Sequence, residues 1–246
     1  MEYSEWAPEY ERIRAAFGFE FSREEAAASL LETLLPEPAR VDPLARVGAR
    51  LAGREVIVVG LAPRAGPPPL WRRRAGTDTT LVAADGATAE CLAAGLVPSV
   101  VVTDLDGPIP SEVAANRRGS LVVIHAHGDN APALRRWVPD FPGELAGSWA
   151  GPPRPALLDV GGFTDGDRAA YLADHTGATK IVLWAFDFER VDESAPAEQA
   201  RKLSKLRFAR RALDHLARRG RAPIVVWRPD GTEVPYDAGN SVASTR

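Results

Sequence analysis

The chain of 246 residues has almost no sulfur, with one cysteine, Cys91, and one methionine. A single cysteine excludes a disulfide within the chain and a cysteine-rich zinc site. Glutamine and asparagine are also scarce, with one and three residues, whereas arginine and proline are abundant. A shortage of thermolabile residue types is typical of thermophile proteins, but GC-rich coding produces a similar excess of arginine, alanine and proline. The composition leaves both explanations open.

Long hydrophobic runs are absent as well. No apolar run approaches the roughly 20 residues of a membrane-spanning helix, and the first residues lack the basic and apolar regions of a signal peptide. We therefore expect a cytoplasmic protein without a membrane partner. The formal net charge of −3 argues against a nucleic-acid partner. Hydrophobic residues make up 45% and charged residues 26%, which is ample for a core of its own.

The first part of the chain reads as helical. Residues 3–17 and 22–35 predict two helices, the second with Ser22 as its N-cap. We predict an N-terminal helical segment over residues 1–50 that contains no strand. It would serve as a cap or as the dimerisation element of a homodimer.

Beyond this segment, short apolar runs rich in β-branched residues alternate with helical stretches. Several runs are apolar on both alternating faces, which marks strands of a parallel sheet covered on both sides. For residues 51–246 we predict an α/β, Rossmann-like domain with a mostly parallel, doubly wound sheet. We predict loops at 62–69 and 139–155, and expect the longer one to cover a site. The predicted strands are Glu55–Val59, Thr79–Ala83, Val100–Thr103, Leu121–His125, Ala156–Val160, Lys180–Trp184 and Ile224–Trp227; the predicted helices are Thr88–Ala94, Asp165–Thr176 and Ala197–Arg219.

Acidic residues and histidines follow five consecutive predicted strands. Ligands of open parallel sheets bind beyond the carboxyl ends of the strands, so these side chains predict a site. Asp104 and Asp106 are two residues apart, and in extended backbone their carboxylates would point the same way. With Asp85 from a neighbouring strand, they would suit Mg²⁺. The alternative is an Asx turn that closes the loop before Pro108.

His125 and His127 repeat the two-residue spacing after the fourth predicted strand. We interpret them as polar groups that line the site; a zinc site and purely structural histidines are the alternatives. His175 and His215 lie on predicted helices, where surface or packing roles are expected.

Phosphate contacts are predicted at three places. Gly60 follows the first strand, although no P-loop lysine comes after it. The loop through Gly162 runs into a helix that Thr164 or Asp165 can cap, and the exposed N–H groups of that helix would suit an anion, a plain cap being the alternative. Lys202 and Lys205 lie on a later helix, where they would either reach the phosphates or form an exposed face.

These residues, in order, resemble the archaeal 6-hydroxymethyl-7,8-dihydropterin diphosphokinases. The first two motifs also resemble thiamine pyrophosphokinase. The resemblance spans roughly residues 55–220, and its motifs are Ala83-Ala84-Asp85-Gly86-Ala87, Gly95-Leu96-Val97-Pro98, Val101-Val102-Thr103-Asp104-Leu105-Asp106-Gly107, His125-Ala126-His127-Gly128-Asp129-Asn130, Gly162-Phe163-Thr164-Asp165-Gly166-Asp167-Arg168, Asp187-Phe188, Lys202-Leu203 and Lys205-Leu206.

The resemblance implies a Mg²⁺-dependent transfer of diphosphate from ATP to the pterin, releasing AMP, in tetrahydromethanopterin or folate biosynthesis. It implies catalytic roles for Asp104, Asp106 and His127. The predicted ATP-binding residues are Gly60, Arg64, Asp85, Gly86, Gly162, Thr164, Lys202 and Lys205. The implied substrate-binding residues are His125, Asp129, Asn130, Asp165 and Asp187, and the implied metal ligands are Asp85, Asp104, Asp106 and Asp165.

The sequence departs from the family at the first glycine loop, where Ala62 and Arg64 replace a glycine and a small hydroxyl residue. Arg64 would supply a charge-assisted phosphate contact there. Three alternatives stay open: a thiamine diphosphokinase, a nucleotide-sugar-dependent glycosyltransferase and a non-catalytic nucleotide-binding module. A thiamine diphosphokinase would normally continue into a β-rich thiamine-binding domain.

Overall fold

The computed structural model describes residues 3–62, 78–191 and 195–239. The helices are α1 (Tyr3–Phe17), α2 (Phe21–Leu34), α3 (Glu37–Arg40), α4 (Pro43–Leu51), α5 (Ala87–Ala93), α6 (Ile109–Arg117), α7 (Ala131–Trp137), α8 (Asp165–His175) and α9 (Pro196–Arg219), with a 3₁₀ turn at Val138–Asp140. The strands are β1 (Glu55–Val59), β2 (Thr79–Ala84), β3 (Val100–Thr103), β4 (Leu121–His125), β5 (Leu145–Ser148), β6 (Leu157–Leu158), β7 (Lys180–Trp184), β8 (Ile224–Trp227) and β9 (Glu233–Pro235).

The strands of the described residues form one sheet in the order β6-β5-β4-β3-β2-β1-β7-β8-β9. All neighbouring pairs are parallel except β8 and β9. Alternate residues of β1 enter different cores: Val56 and Val58 pack with α1, α4, α8 and α9, whereas Ile57 and Val59 pack with α5. Helices therefore cover both faces, and the predicted doubly wound α/β fold is confirmed.

The loop prediction for 139–155 is wrong, because this stretch contains β5. The strand reads Leu-Ala-Gly-Ser and has no β-branched residue, so it lacks the composition that marks a strand. Gly147 is required there by packing, since a Cβ atom on it would lie 2.7 Å from Leu35 Cδ1. The fifth predicted strand is shorter than expected and spans only Leu157–Leu158.

The N-terminal helices share the core of the sheet. Trp6, Tyr10 and Ile13 of α1 are buried in the same cluster as the strands of one face, and α2 packs on the opposite face. The prediction of Ser22 as an N-cap is wrong: α2 begins one residue earlier, at Phe21, whose ring packs against Trp149 with centroids 6.2 Å apart. Within the described ranges, no helix is long and apolar enough to cross a membrane.

The strand order places a switch point at the middle of the sheet. From β1 the chain builds outward through β2, β3, β4, β5 and β6, and it then returns to place β7 on the other side of β1. The loops that follow β1 and β7 therefore diverge, which leaves a crevice beyond their carboxyl ends.

Candidate functional site

Three carboxylates converge beside this crevice. Asp85 follows β2, and Asp104 and Asp106 follow β3; one oxygen from each lies within 4.8 Å of the others. The backbone that brings them together is not the extended one predicted for residues 104–106, because Leu105 has a φ of 66°. Instead, the Asp106 N–H donates to Asp104 Oδ1 at 3.3 Å. The turn that the sequence offered as an alternative therefore forms, and it still directs both carboxylates to one place.

Left-handed backbone recurs where strands end at this site. Besides Leu105, the non-glycine residues Asp85 and Ala185 have φ values of 43° and 58°, and they follow β2 and β7 directly. Such conformations cost free energy, about 1–3 kcal/mol each, and cluster at functional sites. Here these residues change the direction of the chain just after the strands end.

A buried hydroxyl links the two acidic loops. Thr103, the last residue of β3, accepts a hydrogen bond from the Leu105 N–H at 2.9 Å. Its Oγ1 is also 3.0 Å from Asp85 Oδ1 and 3.0 Å from Glu112 Oε1. Burial and the nearby Asp85 raise the pKa of Glu112 to about 9.

A fourth carboxylate, Asp165, is buried at the start of α8. Burial and the nearby charge of Asp104 hold its pKa well above the usual range. Its nearest recorded cation is Arg168, which is almost fully buried and lies 3.5 Å away. Asp165 is not within the convergent group of three, but it extends the negative charge of that group toward α8.

Asp104 and Asp106 lie close together, yet their pKa values are shifted in opposite directions. Burial and the neighbouring charges of Asp104 and Asp85 raise the pKa of Asp106 to about 6. Burial also acts to raise the pKa of Asp104, but the hydrogen bond with His127 outweighs it, and this pKa is lowered to about 2. A bound cation would relieve the repulsion, and carboxylate oxygens are the ligands that Mg²⁺ prefers.

The two histidines occupy different environments. His127 Nε2 lies 3.3 Å from Asp104 Oδ2, and its Nδ1 accepts the Asp129 N–H at 3.3 Å. This pair of contacts places the ring proton on Nε2, so His127 donates to Asp104. His125 is buried, with Nδ1 3.0 Å from the Ser148 hydroxyl, and burial lowers its pKa well below the usual value, which keeps it neutral.

A cavity of about 920 Å³ opens beyond the carboxyl ends of β1, β2 and β7. This size is in the range of small-molecule sites. Phe186 and Phe188 supply apolar walls, and the cations Lys202 and Lys205 reach it from α9. The predicted site residues that line it are Gly60, Asp85, Gly86, Asp106, Thr164, Asp165, Asp187, Lys202 and Lys205.

Glycines permit two close approaches of the chain beside this cavity. A Cβ atom on Gly60 would lie 2.6 Å from the carbonyl oxygen of Ala185, and one on Gly86 would lie 2.6 Å from Leu61 Cδ2. Thr164 is the N-cap of α8, as one of the two predicted alternatives had it. Asp167 accepts the Thr164 N–H at 2.8 Å, and this bond fixes the helix start that faces the cavity.

A second cavity of about 50 Å³ lies next to the first. Lys205 lines both cavities, whereas Asp106 lines the large one and Asp104 the small one. The other predicted site residues on the small cavity are His125, His127 and Gly162.

Two predicted site residues within the described ranges line neither cavity. Asp129 is exposed and pairs with Arg23 at 3.1 Å. Asn130 is buried and donates to the carbonyls of Asp104 and His125, both at 2.8 Å, so it ties the ends of β3 and β4 together. Arg64 lies outside the described residues.

Other groups at the site were missed from the sequence. Thr103 belongs to one of the motifs and Glu112 to none, and no local pattern marks either side chain as part of the site. Tyr10 and Glu24 contribute to the small cavity from α1 and α2, which no local pattern indicates. Arg168 had a usable signal, since an acid and an arginine three residues apart at a helix start face each other.

Comparison with known proteins gives a consistent set of relatives. A family model described as "6-hydroxymethylpterin diphosphokinase MptE-like" matches residues 42–193. A protein named 6-hydroxymethyl-7,8-dihydropterin pyrophosphokinase from Methanothermobacter thermautotrophicus is 38% identical over 92% of this chain and 100% of its own length. A protein of the same name from Pyrococcus furiosus is 38% identical over 92% of this chain and 98% of its own.

Solved structures give a more distant likeness. Thiamine pyrophosphokinase from Bacillus subtilis is 12% identical, with a TM-score of 0.37, over 70% of this chain and 60% of that one. The fold assignment above rests on the sheet itself.

Proposed function

Because the chain belongs to the MptE-like family of 6-hydroxymethylpterin diphosphokinases, we propose that it transfers the terminal diphosphate of ATP to the hydroxymethyl group of 6-hydroxymethyl-7,8-dihydropterin. The products are AMP and the pterin diphosphate, a precursor for tetrahydromethanopterin or folate. The observation that carries the proposal is the convergence of Asp85, Asp104 and Asp106 beside a cavity of nucleotide size.

The residues present fit a magnesium ion. Asp85, Asp104 and Asp106 offer three carboxylate oxygens within 4.8 Å of one another, and Asp165 adds a further buried carboxylate. When bound there, Mg²⁺ neutralises phosphate charge and aligns the transferred group. His127, by donating to Asp104, holds this carboxylate ionised and oriented.

The large cavity is the proposed ATP site. It lies at the switch point between β1 and β7, where nucleotides bind in open α/β sheets. Lys202 and Lys205 attract the phosphates from one side, and the N-terminal turn of α8 presents its backbone N–H groups from another. On the β1 side, Gly60, Leu61 and Ala62 line this cavity, and Gly60 packs too closely on the Ala185 carbonyl to carry a side chain.

In the proposed reaction, the substrate hydroxyl oxygen attacks the β-phosphorus of ATP. The bond between that oxygen and the β-phosphorus forms, and the bond from the β-phosphorus to the oxygen of AMP breaks. Asp106 receives the hydroxyl proton, because it is the most exposed acid of the three. His127 is less suited to this role, since both of its ring nitrogens have partners.

The test is an assay of AMP release from ATP and Mg²⁺, with the hydroxymethyl pterin in one tube and thiamine in another. We expect AMP with the pterin alone and none after addition of EDTA. AMP with thiamine alone would instead identify a thiamine diphosphokinase. AMP in neither tube would contradict both diphosphokinase assignments.

A further inference from the structure

The small cavity has the composition of a binding site, although its volume is only about 50 Å³. It shares Lys205 with the proposed ATP site, and it has Asp104 in its wall. A group bound there would lie next to the acids that handle the diphosphate. Its position alone makes it a candidate for the second substrate.

Two buried polar groups of the N-terminal helices line this cavity. Tyr10 of α1 is 4% exposed, and its hydroxyl has no hydrogen-bond partner among the described residues. Glu24 of α2 is 5% exposed, and its Oε1 accepts the Gly128 N–H at 2.9 Å. Buried polar groups in native proteins are normally paired, so the Tyr10 hydroxyl is free to bond a ligand in this cavity.

The remaining wall is aromatic and cationic. Phe19 and Phe163 offer ring faces or edges to a planar ligand. Both rings pack on Phe17, with centroid separations of 5.6 and 5.3 Å. Arg168 and neutral His125 supply further polar atoms on the side of the strands.

We propose that this cavity is the acceptor subsite and that Glu24 and Tyr10 determine specificity for the pterin. The inference rests on the proposed function. A pterin edge carries a ring N–H next to an amino group, which match a carboxylate such as Glu24, and a ring carbonyl, which matches the Tyr10 hydroxyl. With this edge bound to Glu24 and Tyr10, the hydroxymethyl group at the other end of the bicyclic ring points toward Asp104 and the diphosphate.

Binding requires the cavity to widen, because a bicyclic ring is larger than 50 Å³. Its outer wall is formed by α1 and α2, and the tip of α2 is attached to the loop after β4 by the Glu24–Gly128 hydrogen bond and the exposed Arg23–Asp129 ion pair. Widening therefore requires α1 and α2 to shift outward, which disturbs the contacts of their buried residues with the sheet.

The experiment compares Glu24→Gln and Tyr10→Phe with the wild type. Both changes keep the shape of the side chain, and Glu24→Gln keeps an oxygen that can accept the Gly128 N–H. A matched control is Glu9→Gln, a buried glutamate of α1 that pairs with Arg211 at 3.2 Å and lines neither cavity. Asp187→Asn tests the other placement, in which the pterin lies in the large cavity.

We expect Glu24→Gln to raise the KM for the pterin about tenfold or more. The NH2 group of glutamine is a donor, so it cannot accept a hydrogen bond from the second of the two N–H donors on the pterin edge. Tyr10→Phe should raise it several-fold. The KM for ATP should not change, and Glu9→Gln should behave as the wild type. Equilibrium dialysis of the pterin without ATP or Mg²⁺ should give the same ratios of Kd.

Unchanged pterin KM and Kd in Glu24→Gln and Tyr10→Phe, in an enzyme whose wild type releases AMP with the pterin, would overturn the subsite and leave the proposed function intact. A rise in pterin KM confined to Asp187→Asn would move the acceptor to the large cavity. A wild type that neither binds nor uses the pterin would overturn the proposed function and this inference together.

Discussion

The role of Asp104 in activity can be tested separately from its effect on stability. Its carboxylate faces His127 on one side and the other two acids on the other. Asp104→Asn keeps the shape but removes the charge, so we expect the rate of AMP release to fall by orders of magnitude. The free energy of unfolding should hardly decrease, because the substitution also relieves like-charge repulsion. Steady-state assays and urea unfolding measure the two effects.

The control for this variant is Asp129→Asn, which alters an exposed acid outside both cavities. Near wild-type activity is expected for it. Wild-type activity in Asp104→Asn would contradict the assignment of Asp104 as a metal ligand.

Thr103 acts on the site through its neighbours. Thr103→Val removes the hydroxyl that contacts Asp85, Glu112 and the Leu105 N–H. We expect a lower kcat and a higher Mg²⁺ concentration for half-maximal activity, since two of the proposed ligand loops lose their common anchor. Each buried group left unpaired costs about 1–3 kcal/mol of stability.

Thr103→Ser separates positioning from general destabilisation, because serine keeps the hydroxyl. It should restore the wild-type Mg²⁺ dependence even if some stability is lost with the methyl group. An unaltered Mg²⁺ dependence in Thr103→Val would count against the anchoring role.

At the level of elements, the sequence predicted those whose hydrophobic pattern is local. Strand β1 and strand β4 have the predicted bounds because their Val and Ile runs are buried on both faces. Strand β5 was not predicted because the reason for its Gly147 is tertiary. This glycine packs against leucine side chains that are far away in the sequence. The same holds at the site: the acids were predicted from strand ends, whereas Tyr10 and Glu24 reach it only through the packing of α1 and α2.

Gly147 therefore offers a test of the packing in β5. Gly147→Ala places a Cβ atom against Leu31, Leu35 and Leu157, and we expect a loss of about 1–3 kcal/mol through overpacking. The matched control is Gly48→Ala in α4, where no atom lies within 4 Å of the added Cβ. That change should stabilise the protein by about 0.5–1 kcal/mol. Chemical unfolding of both variants provides the comparison, and a neutral Gly147→Ala would show that the leucine side chains around Gly147 can move aside.

At the scale of the whole molecule, repulsion between carboxylates is concentrated at one place. The formal net charge is only −3, yet four carboxylates meet at the carboxyl ends of the central strands, three of them within 4.8 Å of one another. Left-handed backbone at Asp85, Leu105 and Ala185 adds to this cost. The sheet, buried on both faces, supplies the stability that keeps the arrangement assembled.

A ligand that binds only the folded state must then raise the stability of the entire domain. By mass action, Mg²⁺ at 100 times its Kd stabilises the protein by about 2.7 kcal/mol. We expect Tm to rise on addition of Mg²⁺ to EDTA-treated protein, and to rise further when ATP is added. The double variant Asp104→Asn/Asp106→Asn should have a Tm that Mg²⁺ does not change, because only one carboxylate of the convergent group remains. A Tm that rises equally in both proteins would place the metal elsewhere on the molecule, so this measurement tests the site without requiring turnover.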